Sequence, residues 1–211
     1  LLGRYIAGRV LEKTLKPFDL PTAYSEAIKF FTTRKVVTKA AHRKLSAAAR
    51  RTAFTSVAAN RKWILEELNT SLNKAVIDGA SHEDWLKDIS KHFDRLGITR
   101  LSPPYWRLVF QNASQEAVFY GKEEIWKDAD TEEWPLRQQI TVEDERVRKP
   151  HAKLHGFTAP IKHPIWKRLR NPLDHGCRCS QRLVNKDEGL KASKNIPSLS
   201  GPGFGFVAKT F

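Results

Sequence analysis

The chain has 211 residues, 40% of them hydrophobic, with 37 Lys and Arg against 23 Asp and Glu and a net charge of +14. That apolar content argues against intrinsic disorder and allows one ordinary domain, or a helical part with a small appendage. No apolar run approaches the roughly 20 residues of a membrane span, and Arg4 and Arg9 interrupt the start, so neither a span nor a secretory signal is expected and the chain reads as soluble.

The positive excess favours polyanions, whether nucleic acid or an acidic protein surface, without choosing between them. Met is absent, an initiator included, which points to a start inside a longer chain or after processing.

In chain order, a first helix is expected from about Ala23 to Arg34, with Ala27, Phe30 and Phe31 turned inward. A second is expected within residues 38–60, where the alanine-rich stretch favours helix by propensity. Residues 34–62 carry nine basic side chains and no acidic one: Arg34, Lys35, Lys39, Arg43, Lys44, Arg50, Arg51, Arg61 and Lys62. Ordinary soluble surfaces mix both signs, so this run is a candidate DNA-contacting face, and a solvated helix surface is the plainer reading. No sequence-reading module accompanies it, so binding would be directed at phosphates and sensitive to salt.

Ile64, Leu68, Leu72 and Val76 line one helical face, with Gly79 at the capping position. Ser81 and Asp84 then form a variant capping box ahead of Trp85, Ile89 and Phe93, up to Gly97. Pro103 and Pro104 suit a first helical turn, and Trp106, Phe110, Ala113, Ala117 and Tyr120 continue at helical spacing. This spacing makes core packing the stronger reading for the tryptophans over base stacking.

After Lys127 the texture changes. Trp134–Ile140 and Arg182–Val184 read as short strands, and Pro150, Pro160, Pro164 and Pro172 forbid long helices between them. Beyond Asn185 an extended tail rich in Gly, Ser and Pro is expected to dock by its phenylalanines. The fold class is therefore α+β, mainly α: a helical body over 1–127, a small irregular unit with short strands over 128–185, and a tail over 186–211.

Four of the seven histidines and both cysteines fall within residues 142–184. Cys177 and Cys179 are too close in sequence for an unstrained or strongly stabilising disulfide, which leaves reduced or metal-bound thiolates. With His175, and with His151, His155 or His163 completing a tetrahedron, they are candidate ligands of a structural zinc ion. One Cys-x-Cys lacks the paired knuckles of an unambiguous zinc module, so histidines serving only hydrogen bonding are the alternative. Arg178 would lower the pKa of the neighbouring thiols, which by itself does not make either a nucleophile.

Asp144, Arg148, His151, Leu154 and Gly156, followed by Trp166, Pro172 and Cys177-Arg178-Cys179, resemble the signature of the phage Mu F-like head-morphogenesis family in order and spacing. Glu26–Phe31, Ala53-Phe54, Asp78-Gly79, Phe110–Ala117 and Tyr120-Gly121 resemble that family's helical part, so the likeness covers nearly the whole chain. Asn171 stands where a second proline is usual, and Asp174-His175-Gly176 intervenes before Cys177.

The resemblance implies a structural virion protein, with no catalytic residues, acting in head assembly. Its implied partners are the portal, other head proteins and double-stranded phage DNA, contacted without sequence preference and with no membrane involved. Arg148, His151, Cys177 and Cys179 would hold the C-terminal unit together. A metal-dependent hydrolase or nuclease with His151 as general base is the rival from another class. It is opposed by thiolate ligands, which favour closed structural zinc, and by the lack of a carboxylate cluster. A nucleic-acid-binding protein outside the virion is a third reading, favoured by the basic run alone.

Overall fold

The computed structural model describes residues 20–45, 49, 53–54, 62–96 and 103–206. The chain divides into two compact units, 1–121 and 122–211, and residues 186–206 belong to the second. No helix among the described residues is long and apolar enough to cross a membrane.

The first unit contains α1 (Leu20–Thr33), β1 (Lys35–Val36), α2 (Lys39–Lys44), β2 (Ala53–Phe54), α3 (Lys62–Ile77), α4 (His82–Arg95) and most of α5 (Pro103–Trp126). The stretch read as helix within 38–60 yields the short α2, begun by Thr38, whose hydroxyl accepts from the Ala41 amide. It also yields β2, which pairs in parallel with β1 and was not foreseen.

The core joins Ala27 and Phe30 of α1 to Leu65, Leu68, Leu72 and Ala75 of α3, Trp85, Ile89 and Phe93 of α4, and Trp106, Phe110, Ala113 and Ala117 of α5. Steps of four residues overshoot a helical turn by about 40°, so a stripe read as Ile64, Leu68, Leu72, Val76 drifts around the helix. Ile64 and Val76 are accordingly only partly buried, and Leu65 and Ala75 take the central positions. The Phe31 side chain and Gly97 fall outside the described residues.

Gly79 ends α3 with φ +64°, the left-handed backbone glycine adopts freely. Ser81 caps α4, its hydroxyl accepting from the Asp84 amide at 3.1 Å and donating to the Asp84 carboxylate at 2.7 Å. The indole of Trp85 donates to Ser71 Oγ at 3.0 Å and ties α4 to α3. Five of the tryptophans are buried, and Trp63 is exposed.

The second unit begins with the last turn of α5 and contains β3 (Leu136–Ile140), α6 (Lys149–Ala152), β4 (Thr158–Pro160), a 3-10 turn (Pro164–Lys167), β5 (Ser180–Val184) and a further turn (Lys186–Glu188). The three strands form an antiparallel sheet in the order β4-β3-β5. Its core gathers Leu154, Phe157, Ile165, Trp166, Leu169, Leu173, the two cysteines and, from the tail, Leu199 and Phe204.

Unusually, the inward positions of β3 are polar. Gln139 faces Gln181 in register, and Gln181 Nε2 donates to Gln139 Oε1 at 2.7 Å and to the Leu169 carbonyl at 2.7 Å. Asn171 exchanges hydrogen bonds with Gln139 at 3.2 and 3.4 Å, which gives the side chain that departs from the family pattern a buried task. A fully paired amide cluster of this kind avoids the penalty of lone buried polar groups.

Lys122 is a further buried polar group, 2% exposed, with Nζ donating to Ser180 Oγ at 2.8 Å and to the Gln181 carbonyl at 3.2 Å. Burial, and then the nearby charge of Arg137, lower its pKa from 10.5 to about 7. Below pH 7 the ammonium is charged in both folded and unfolded chains and folding carries the full penalty. Between about 7 and 10.5 the unfolded chain binds more protons, so stability rises with pH, by up to about 1.4 kcal/mol per pH unit from this group. The midpoint of urea unfolding of wild-type protein is therefore expected to climb between pH 7 and 9.5, and Lys122→Met to flatten the slope. An identical slope in the two proteins would contradict this account of Lys122.

Candidate functional site

The site is built from four segments of the second unit. The loop after β3 brings Asp144, α6 brings Arg148 and His151, the turn entering β5 brings Cys177, Arg178 and Cys179, and the tail brings Gly203 and Phe204. Pro150 at the start of α6 fixes that single turn, and it points the His151 ring inward, leaving the residue 2% exposed.

His151 Nδ1 lies 3.6 Å from Cys177 Sγ and 3.7 Å from Cys179 Sγ. The three ligand-type atoms lie within 4.8 Å of one another and all three residues are buried. The opposite nitrogen, Nε2, bonds the Gly203 carbonyl at 2.6 Å, and the Phe204 ring packs on the imidazole at a centroid distance of 5.5 Å. Gly203 has φ +94°, and a Cβ there would sit 3.4 Å from His151 Nε2. Glycine is thus called for by the backbone shape, and a Cβ there would only touch the imidazole at ordinary contact distance.

The Cys177 thiol pKa is pushed down to about 4, because its thiolate accepts hydrogen bonds from Cys179 first and from His151 as well. Cys179, as the donor to that thiolate, is pushed up. Burial opposes the charge on His151, but its bonds to Cys177 and to the Gly203 carbonyl outweigh burial and hold its pKa above the ordinary value.

Around this centre the remaining signature residues brace the chain. Arg178 grips Asp144 in a two-pronged ion pair at 2.6 and 2.7 Å, the geometry for which the guanidinium fork is suited, and this bond holds the Asp144 carboxyl below its usual pKa. Arg148 donates to the His175 carbonyl at 2.7 Å. Gly156, at φ +77°, donates its amide to the Gln139 carbonyl at 2.9 Å and accepts from Thr158 Oγ1 at 2.8 Å. Trp166 donates to the Pro160 carbonyl at 2.8 Å.

Two expected site residues lie elsewhere. His175 is exposed and its ring meets Phe206 edge-on at 4.6 Å; the turn at Gly176, φ +67°, separates it from the sulfurs, so it is not one of the clustered ligand groups. Arg34 is not on a basic face. It is buried in the first unit, donating to Asn69 Oδ1 at 2.9 Å and lying 3.7 Å from Glu116, and burial lowers its pKa to about 10 against the opposing pull of Glu116.

Lys35, Lys39, Arg43 and Lys44 are exposed, as is Lys62, which lies 3.1 Å from Glu66. Arg50, Arg51 and Arg61 fall outside the described residues. His155 and His163 serve locally: His155 Nδ1 accepts from the Thr141 amide at 3.2 Å and His163 Nδ1 from the Ile165 amide at 3.2 Å.

A shallow cleft over the cysteines is lined by Arg146, Val147, Arg148, His151, Gly176 and Arg178. It offers positive charge, while its nearby carboxylate, Asp144, is held by Arg178. Both nitrogens of His151 are engaged, which weighs against the role of general base for an incoming water. Sequence reasoning missed Gly203 and Phe204 as members of this centre. The alternation of glycine and aromatic residues at 203–206 signalled docking, and nothing in it named the docking site.

The family model described as Phage Mu protein F like protein matches residues 66–182. The chain is 22% identical over 158 residues to the Mu-like prophage FluMu F protein of Haemophilus influenzae, covering 68% of this chain and 38% of that one. It is 24% identical over 162 residues to the putative capsid assembly protein F of Escherichia phage Mu, covering 67% of this chain and 36% of that one. The chain thus spans less than two-fifths of the length of these relatives. No solved structure matches it.

Proposed function

The chain belongs to the family of Phage Mu protein F like proteins, and from that premise we propose that it is a structural minor head protein of a tailed phage or prophage. It acts in head assembly near the portal and in packaging or ejection of the genome, and it resides in the virion after assembly in the host cytoplasm. The observation that carries this reading is the family match over 66–182, which runs through the signature residues Asp144, Arg148, His151 and Cys177-Arg178-Cys179. The name of the phage Mu relative, a capsid assembly protein, agrees with it.

A structural role is supported by the way those residues are spent. Asp144 and Arg178 close a loop, Arg148 holds a backbone carbonyl, and His151 holds the tail. Non-specific contact with double-stranded DNA is supported by the exposed Lys35, Lys39, Arg43 and Lys44 in a run of residues without an acid.

In a lysate of cells producing the phage, the protein is expected to sediment with heads or with portal; its absence from both would overturn the proposal. For the DNA contact, four phosphate neutralisations give a decline in log affinity against log salt with slope about −4, and changing these four side chains to Gln should remove most of it. Affinity indifferent to salt, or a preferred sequence, would refute phosphate-directed binding.

A further inference from the structure

Hydrogen bonding alone gives an incomplete account of the group at His151. One imidazole lone pair serves one linear hydrogen bond, yet two sulfurs lie at nearly the same distance from Nδ1, 3.6 and 3.7 Å. A tetrahedral ion bonded to nitrogen at about 2.0–2.1 Å and to sulfur at about 2.3 Å makes a nitrogen–sulfur edge of about 3.6 Å. Both distances match that edge.

The far side of the ring supplies an independent indication. A carbonyl oxygen only accepts, so the 2.6 Å bond to Gly203 places a proton on Nε2, and a cation that displaces the proton shared between Nδ1 and the Cys177 thiolate finds the Nδ1 lone pair aimed at both sulfurs. A backbone carbonyl behind the imidazole is the usual support of a metal-binding histidine, fixing tautomer and orientation together.

We propose that His151 Nδ1, Cys177 Sγ and Cys179 Sγ bind one thiophilic divalent cation, zinc by preference, with solvent in the fourth position on the side of the cleft lined by Arg146, Val147, Arg148 and Gly176. Thiolate and imidazole donors select zinc over magnesium or calcium, which take oxygen ligands. Two thiolates neutralise the dication, so the loaded centre sits beside Arg148 and Arg178 without adding to their positive charge. The ion ties α6, the β5 entry and, through Gly203, the tail into one unit whose apolar core is small, the situation in which a metal staple contributes most. This goes beyond the proposed head function and stands or falls separately from it.

The test uses the full chain, produced in zinc-supplemented medium and purified without chelator. Elemental analysis is expected to find about one zinc per chain, and cobalt substituted for it to give the visible bands of a tetrahedral ion with thiolate charge transfer in the near ultraviolet. Cys177→Ser and Cys179→Ser are each expected to weaken cobalt binding by roughly 100-fold or more, whereas His175→Ala leaves it within about twofold. Should a serine variant fail to fold, the wild-type spectrum decides. No retained metal and no thiolate–cobalt band in reduced wild-type protein overturns the proposal, as does loss of the band in His175→Ala.

Discussion

Arg137→Ala is expected to destabilise the second unit by about 3–5 kcal/mol, the cost typical of breaking a buried ion pair from one side. Arg137 is buried on β3, with its guanidinium 2.5 Å from Glu123 Oε1 and donating to Gln181 Oε1 at 2.6 Å. It lies between the rings of Trp126 and Trp166, 4.6 and 4.9 Å from their centroids. Burial lowers its pKa to about 10 against the opposing pull of Glu123, so the cation persists at neutral pH because partners surround it.

Truncation to Ala strips Gln181 Oε1 of this donor, leaves Glu123 with Arg170 at 3.4 Å, and opens a void between two indoles. The flat guanidinium serves ion pair, amide and both rings at once, a combination an ammonium lacks. Arg137→Lys should therefore recover only part of the loss. The double change Arg137→Met with Glu123→Leu should recover more, since neither charge of the buried pair then stands alone, and the cost is confined to Arg170, 27% exposed at its side chain, which loses this carboxylate. Urea unfolding of these variants checks the order, and Arg137→Ala at wild-type stability would contradict it.

In the first unit α1, α3 and α4 were legible because each keeps a single apolar face. Trp85, Ile89 and Phe93 recur at helical spacing, and Ser81 with Asp84 marks the start of α4, so periodicity and capping point the same way. The basic run was less legible, because a count of charges does not say which way each side chain points. Arg34 follows α1 directly and turns inward to Asn69 and Glu116, while its neighbour Lys35 faces out.

The second unit was harder to read, for two physical reasons. On β3 the inward side chains include Arg137 and Gln139, so the usual alternation is inverted, and only the partners Glu123, Asn171 and Gln181, distant in sequence, make it stable. β4 is three residues ending in Pro160, too short to carry a periodic signal and closed by a residue that reads as a breaker. In the site itself, Cys177, Cys179 and His151 were named by type and order, but proximity in sequence favoured His175 as well. The backbone turn at Gly176 decides against it, and a turn of that kind does not register in a spacing argument.

The tail makes the same point from the other direction, since Phe204 and Gly203 lie more than fifty positions from His151 in sequence yet close the centre over it. The central claim is that the signature residues and the tail form one architectural unit. The most direct test is amide hydrogen exchange over residues 136–184 in Phe204→Ala, with Phe206→Ala as the exposed control. Phe204 is 8% exposed and Phe206 39%. Loss of the buried ring is expected to cost about 3 kcal/mol and to speed exchange across both β3 and β5 by roughly 100-fold, with the Phe206 variant close to wild type. Protection unchanged by Phe204→Ala, or lost only within the tail, would contradict the claim.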